Sequence, residues 1–208
     1  MSERILLVAT RNAGKQREIR QLLEGIPYRI VFPDDVAIYE RSEEEHVERG
    51  ETFEQNARLK AEYFAKRGQL PTVAEDSGLE VFSLGGLPGV RSRRFAMVDG
   101  PAEEQDAANN AELLRRLHGL PPNKRLARYR CAIVFLPRPD APAATFEGSC
   151  RGRILEEPQG TNGFGYDPIF FSDDLSESFG TADPAAKDRV SHRGQAFRQL
   201  AEWLQTRQ

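Results

Sequence analysis

Of 208 residues, two are cysteine, three are histidine and one is tryptophan. Two cysteines, Cys131 and Cys150, build neither a disulfide framework nor a structural zinc site. Both sit in strand-like runs and read as packed thiols. Three histidines argue against a histidine-built metal centre. An excess of positive charge is missing as well: 29 Lys and Arg stand against 32 Asp and Glu, a formal net charge of −3. A general nucleic-acid binder would show a basic excess, so no stable nucleic-acid partner is expected, although a small basic pocket stays open. No apolar run approaches the ~18 residues that span a bilayer. Ile5–Ala9 is too short for a secretory h-region and reads as a strand. The expected location is therefore the cytoplasm, with no membrane partner.

What is present fits a globular core: 39% hydrophobic and 29% charged residues. The length suits one large domain or two closely joined lobes. Arg4–Thr10 reads as a buried strand, and Lys15–Glu24 has helical apolar spacing that stops at Gly25. Tyr28–Phe32 is a second strand. Thr52 caps a helix with Gln55 at the capping-box position. Phe53, Ala57, Ala61 and Phe64 form its apolar stripe, and Asn56 and Lys60 share a neighbouring one. Thr72–Ala74 is a short strand that runs out into Glu75-Asp76-Ser77-Gly78, and Leu79–Phe82 is another. Ala102–His118 is helical, Arg128–Leu136 a strand, and Ala143–Glu147 with Cys150–Leu155 a hairpin around Gly148. Pro168–Phe171 is a short strand and Ser191–Gln205 the last helix. Helices interleaved with strands, plus the 128–155 meander, predict an α/β protein with a mixed sheet and a long cleft.

Five segments carry residues suited to chemistry. Thr10-Arg11-Asn12-Ala13-Gly14-Lys15 joins a strand to a helix, where main-chain N–H groups and a lysine suit phosphate. It is no Walker A loop, because Gln16 follows Lys15; an ordinary turn is the plainer reading. Glu75 and Asp76 offer adjacent carboxylates for magnesium or for orienting an attacking water. In a regular strand they would face opposite ways, so joint action requires the strand to have ended. A solvated acidic turn is the alternative. In the acidic stretch Glu43–Glu48, composition does not say which carboxylate would reach a metal. In Gly160–Pro168, Phe164 or Tyr166 could stack on a flat base or pin the loop to the core. Ser191 caps the last helix, and His192 and Arg193 put donors in its first turn, against the helix dipole.

Taken in order, Thr10-x-Asn12-x-x-Lys15, Thr52–Ala61 (TFxxNAxxKA), Glu75–Gly78 (EDSG), Leu84–Gly89 (LGGxPG), Gly163–Pro168 (GFGYDP) and Ser191–Gly194 (SHRG) resemble the inosine/xanthosine triphosphate pyrophosphatases, from Ile5 to Trp203. Each motif alone is modest; six in order are specific. The resemblance implies an elongated α/β fold with a long mixed sheet and two lobes around a central nucleotide-binding cleft, residues 1–208 forming one such domain, usually a homodimer. It implies magnesium-dependent hydrolysis of ITP, dITP and XTP to the monophosphate and pyrophosphate, a cleansing of the nucleotide pool.

By the same resemblance Asp76 is the general base, and Glu48, Glu75 and Asp76 are the metal acids. Thr10, Arg11, Asn12, Ala13, Gly14, Lys15, Lys60 and Ser77 hold the triphosphate. Phe164, Gly165, Tyr166, Asp167, Lys187, His192 and Arg193 form the base site. Hypoxanthine and xanthine carry an acceptor at position 6 where adenine carries a donor, so donors from His192 and Arg193 would select against ATP but not against GTP. Arg11 stands where a small residue is common, Asn162 where glycine is common, and Gly180–Asp188 lacks the usual acid before Lys187. A pyrimidine-directed relative and a non-enzymatic nucleotide sensor are the competing readings.

Overall fold

The computed structural model describes residues 4–206, apart from the side chains of Glu45 and His46. In chain order the elements are β1 (Ile5–Val8), α1 (Ala13–Leu22), β2 (Arg29–Val31), α2 (Phe53–Gly68), β3 (Thr72–Val81), α3 (Ala102–Arg116), β4 (Leu126–Leu136), β5 (Ala144–Ile154), β6 (Phe170–Ser172), β7 (Glu177–Ser178), α4 (Pro184–Val190) and α5 (His192–Thr206). The strands hydrogen-bond in the order β2-β1-β3-β4-β5-β6-β7, a mixed seven-stranded sheet. The chain forms two compact units: Met1–Asp76 with Cys131–Glu147 and Gln195–Gln208, and Ser77–Arg130 with Gly148–Gly194. No helix of the described residues is long and apolar enough to cross a membrane.

In the first unit β1 pairs in parallel with both β2 and β3. Parallel strands are covered on both faces, and the run from Leu6 to Ala9 is buried accordingly. Its residues alternate between two cores. Leu6 and Val8 pack with Ile19 of α1, Val73, Cys131, and Phe197 and Leu200 of α5. Leu7 and Ala9 pack with Ala57, Ala61 and Phe64 of α2 and with Ala74. The chain leaves β1 toward β2 through α1 and returns through α2 to the other side of β1. In open α/β sheets ligands usually bind where the strand order reverses in this way, beyond the carboxyl end of a strand such as β1.

In the second unit β5, β6 and β7 pair antiparallel. A core of Leu79, Val81, Leu113, Leu117, Tyr129, Ile154, Tyr166, Phe170 and Phe179 lies under α3. Buried Arg125 closes its edge, donating to the carbonyls of Leu117, Ile154 and Leu155.

Three sequence expectations need correction. β3 does not stop at Ala74; it runs unbroken through Glu75-Asp76-Ser77-Gly78 to Val81. In place of a hairpin at Gly148 there is one continuous strand, β5. Residues 148, 150, 152 and 154 are buried in step there, so the period of two passes through Gly148 without a break, and a lone glycine lacks the paired residues a tight hairpin demands. Gly180–Asp188, to which the sequence reading gave no element, leads into α4 (Pro184–Val190): Asp183 caps it and Pro184 occupies its first turn, where a missing N–H costs nothing. Finally, the Gln55 side chain accepts from Glu51 N–H rather than closing a box on Thr52, although Thr52 Oγ1 does cap Gln55 N–H.

Candidate active site

In the first unit the loop after β1 enters α1 through Asn12, whose side chain caps Lys15 N–H at 2.9 Å. Asn12 N–H is held by Thr10 Oγ1 at 3.3 Å. Ala13 and Gly14 form the first turn, where amides have no intrahelical acceptor. The Lys15 ammonium reaches Glu75 Oε1 at 2.8 Å. Glu75 is 2% exposed, and the thiol of Cys131 lies 3.4 Å from its other oxygen.

Because β3 continues, Glu75 and Asp76 do point to opposite faces. Glu75 turns toward Lys15 and Cys131, on the face that carries Val73, while Asp76 turns toward α2, on the face that carries Ala74. Asp76 Oδ2 accepts from Asn56 Nδ2 at 3.0 Å. Asn56 Oδ1 in turn accepts from Gly50 N–H at 2.7 Å, which fixes the orientation of the amide. One turn further along α2, Lys60 donates to the Glu75 carbonyl at 3.0 Å and pairs with Glu48. The joint action expected of an ended strand is thus supplied from α2, which holds the main chain of one carboxylate and the side chain of the other.

The electrostatics follow from burial. Desolvation pushes the Asp76 carboxyl above its ordinary value, outweighing Lys60, Lys15 and the Asn56 hydrogen bond. Desolvation opposes the charge on Lys60, but Glu48, Asp76 and Glu75 together hold that ammonium above its ordinary value. Among the described residues no three His, Cys, Asp or Glu side chains converge into a metal-binding group of their own. The carboxylates of Glu48, Glu75 and Asp76 are nevertheless hard oxygen donors. Magnesium is usually held by one or two of these, with substrate phosphates and water completing the shell. One or two of these carboxylates, not all three at once, are what such an ion would take from the protein.

Arg11 behaves differently from the sequence expectation. Its guanidinium is engaged by Glu44 through Nε at 2.8 Å and Nη2 at 2.9 Å, by Asp34 at 2.5 Å and by the Ile38 carbonyl at 2.8 Å. Arg67 joins the same Glu44 at 3.2 Å. This side chain ties the segment leading to Glu48 onto the loop after β1. Arg11→Met is expected to lower thermal stability, because Glu44 loses a bidentate partner, while KM for a nucleoside triphosphate changes less than about threefold. A tenfold rise in KM would return the guanidinium to the phosphates.

In the second unit the loop Gly160–Asp167 is pinned from several sides. Asp167, 3% exposed, accepts from Phe164 N–H at 2.9 Å and pairs with Lys187 at 2.6 Å. Gly163, at φ +76°, lies so close to the Asp167 carboxylate that a Cβ would collide with it. Tyr166 is buried in the core and donates to the Ser92 carbonyl at 2.8 Å, so Phe164 is the aromatic left half-exposed. The Lys187 ammonium and the Arg193 guanidinium each lie 5.5 Å from its ring centre. His192 stacks on Tyr129 at 4.6 Å. Arg193 also donates to Ser77 Oγ at 2.9 Å, the residue peptide-bonded to Asp76. Asn162, in place of a glycine, ties the loop to Gly180 and Ala182.

The second unit thus gathers Ser77, Phe164, Gly165, Asp167, Lys187 and Arg193, with His192 behind, while Tyr166 belongs to the core. The first gathers Lys15, Glu48, Lys60, Glu75 and Asp76. From the sequence Asn56 is a stripe-mate of Lys60 and a letter of the TFxxNAxxKA motif, with no role assigned to it. A polar side chain beside the apolar stripe of a buried helix was the available signal.

The chain as a whole is similar to known proteins. The dITP/XTP pyrophosphatase of Syntrophobacter fumaroxidans is 44% identical over 214 residues, covering 100% of this chain and 88% of that protein. The dITP/XTP pyrophosphatase of Thioalkalivibrio sulfidiphilus is 43% identical, with 97% and 99% covered. A HAM1 protein structure from Coxiella burnetii superposes with a TM-score of 0.83 at 33% identity, covering 97% of this chain and 98% of that one. The motif-bearing stretch from β1 to α5 coincides with the span matched by the Ham1 family model, residues 6–203, and the chain belongs to the Ham1 family.

Proposed function

We propose that this protein hydrolyses dITP, ITP and XTP to the monophosphate and pyrophosphate with magnesium, in the cytoplasm and as a homodimer, and so cleanses the nucleotide pool. The supporting observation is the first-unit cluster, in which three carboxylates share two lysines. Such a cluster is short of positive charge. An anionic triphosphate would be repelled from it unless a cation came too, which is the behaviour of a metal-dependent phosphoanhydride hydrolase. The names of the relatives supply the substrate class.

In this reading Asn56 holds Asp76 Oδ2 and leaves the other oxygen to take a proton from the water that attacks the α-phosphorus. Burial makes that carboxylate a stronger base than an exposed one. Lys15 and Lys60, with the amides around Thr10–Lys15, neutralise the phosphates. One or two of Glu48, Glu75 and Asp76 would hold the magnesium, which when bound offsets the charge of the triphosphate. The half-exposed Phe164 ring stacks on the purine. Lys187, His192 and Arg193 offer donors to its 6-carbonyl; ATP would set a donor against them.

The test is pyrophosphate release from XTP, dITP, ITP, ATP, GTP and dTTP, with and without magnesium. Fast release from the first three, dependent on the metal, is the expected result. Phosphate in place of pyrophosphate would move the attack to another phosphorus. A preference for dTTP would point to pyrimidine substrates, and binding of ITP without turnover to a sensor.

A further inference from the structure

Most of the polar face of α3 looks like an ordinary solvated surface in the sequence. In the second unit, however, two of its side chains grip a single residue of the loop. Asp106 and Asn110 are four apart and so share a face. Asp106 Oδ2 accepts from Gly165 N–H at 2.7 Å, and Asn110 Nδ2 donates to the Gly165 carbonyl at 3.0 Å. Acceptor meets donor and donor meets acceptor, at a glycine held at φ +65°. Between them Asn109 accepts from Ala96 N–H at 2.8 Å and donates to the Arg93 carbonyl at 2.9 Å. It thereby secures the stretch whose Ser92 carbonyl receives the Tyr166 hydroxyl. Both neighbours of Gly165 are aromatic, and the half-exposed one is Phe164.

Gly160, Gly163 and Gly165 all adopt left-handed backbone conformations. A loop so rich in glycine has many alternatives, and ordering it at the moment of binding would weaken affinity. We infer that Asp106 and Asn110 are positioning residues for purine recognition, holding the main chain at Gly165 so that the Phe164 ring stands ready before the base arrives. The inference rests on Phe164 being the base platform. It predicts an effect confined to ligands that carry a base.

The two reaction products separate the cases: XMP has the base and inorganic pyrophosphate lacks it. For Asp106→Ala and for Asn110→Ala, KM for XTP and the inhibition constant of XMP should each rise about tenfold, while kcat and the inhibition constant of pyrophosphate stay within about twofold. Asp106→Asn keeps an acceptor for Gly165 N–H and should restore near-wild-type values. Phe164→Ala is the reference. If it leaves XMP inhibition unchanged, the base platform itself is wrong, and this inference goes with it. If Phe164→Ala weakens XMP but the α3 variants do not, the positioning role is overturned. Equal weakening of XMP and pyrophosphate by the α3 variants would overturn it too, as would failure of Asp106→Asn to rescue.

Discussion

Asp76→Asn is expected to slow turnover of XTP at least ~100-fold, the scale of losing an acid–base group, while substrate binding survives. The amide is nearly isosteric with the carboxylate, and it keeps an oxygen for Asn56 Nδ2, now 3.0 Å from Asp76 Oδ2. It cannot take a proton from water. It also removes one negative charge from a cluster that must accept a triphosphate, so repulsion toward the substrate falls. The effect should therefore appear in kcat, with KM unchanged or lower. Pyrophosphate release gives kcat and KM, and calorimetry on the variant with XTP and magnesium gives the affinity directly. Turnover within about tenfold of wild type would remove Asp76 from the role of base. Loss of binding with little loss of kcat would make it a substrate ligand instead.

Lys60→Met should be the most damaging change to stability. Lys60 is 9% exposed, and its ammonium lies in the field of Glu48, Asp76 and Glu75. Removing one member of a buried ion pair costs about 3–5 kcal/mol, because the opposite charge stays behind uncompensated. For a protein of this size that is roughly 6–20 °C in Tm.

The pH dependence distinguishes charge from packing. Burial already holds Asp76 above its ordinary value, and Lys60 is the largest influence lowering it. Without Lys60 the folded-state value rises further. A carboxylate raised in the folded state destabilises fully above that raised value. The penalty fades as pH falls toward the ordinary carboxylate value, since the folded form then takes up the proton first. Lys60 itself stays charged over this range, its own value being raised. Urea unfolding of metal-free protein should thus show the gap between wild type and variant narrowing on acidification. A gap independent of pH would mean lost packing rather than stranded charge.

The motif residues Lys15, Lys60, Glu75, Asp76, Phe164 and Arg193 stood out before any fold was known because six motifs in order resemble one family; residue chemistry alone left a solvated acidic turn and a core-pinning aromatic open. Their surroundings were harder to see. The GTADPAAKD stretch leads into a helix of seven residues, too short to show a periodicity. Gly148 reads as a turn only while the burial of its neighbours in step is unknown. Asp106 and Asn110 sit in a run of polar residues, and nothing local separates a side chain facing water from one facing Gly165.

By itself the sequence determined the alternation of helices and strands, the buried strand β1, the capped helix α2 and the order of the motif residues, since periodicity, capping and residue chemistry are local properties. The tertiary structure decided which partner each charge has. Glu75 and Asp76 face opposite sides of a continuous strand, and Lys60 and Asn56 reach over from α2 to hold the main chain of one and the side chain of the other. Arg11, a departure within the Thr10-x-Asn12-x-x-Lys15 motif, holds Glu44, 33 positions away. Electrostatic partners are chosen by distance in space and by burial, and neither is written in the spacing along the chain.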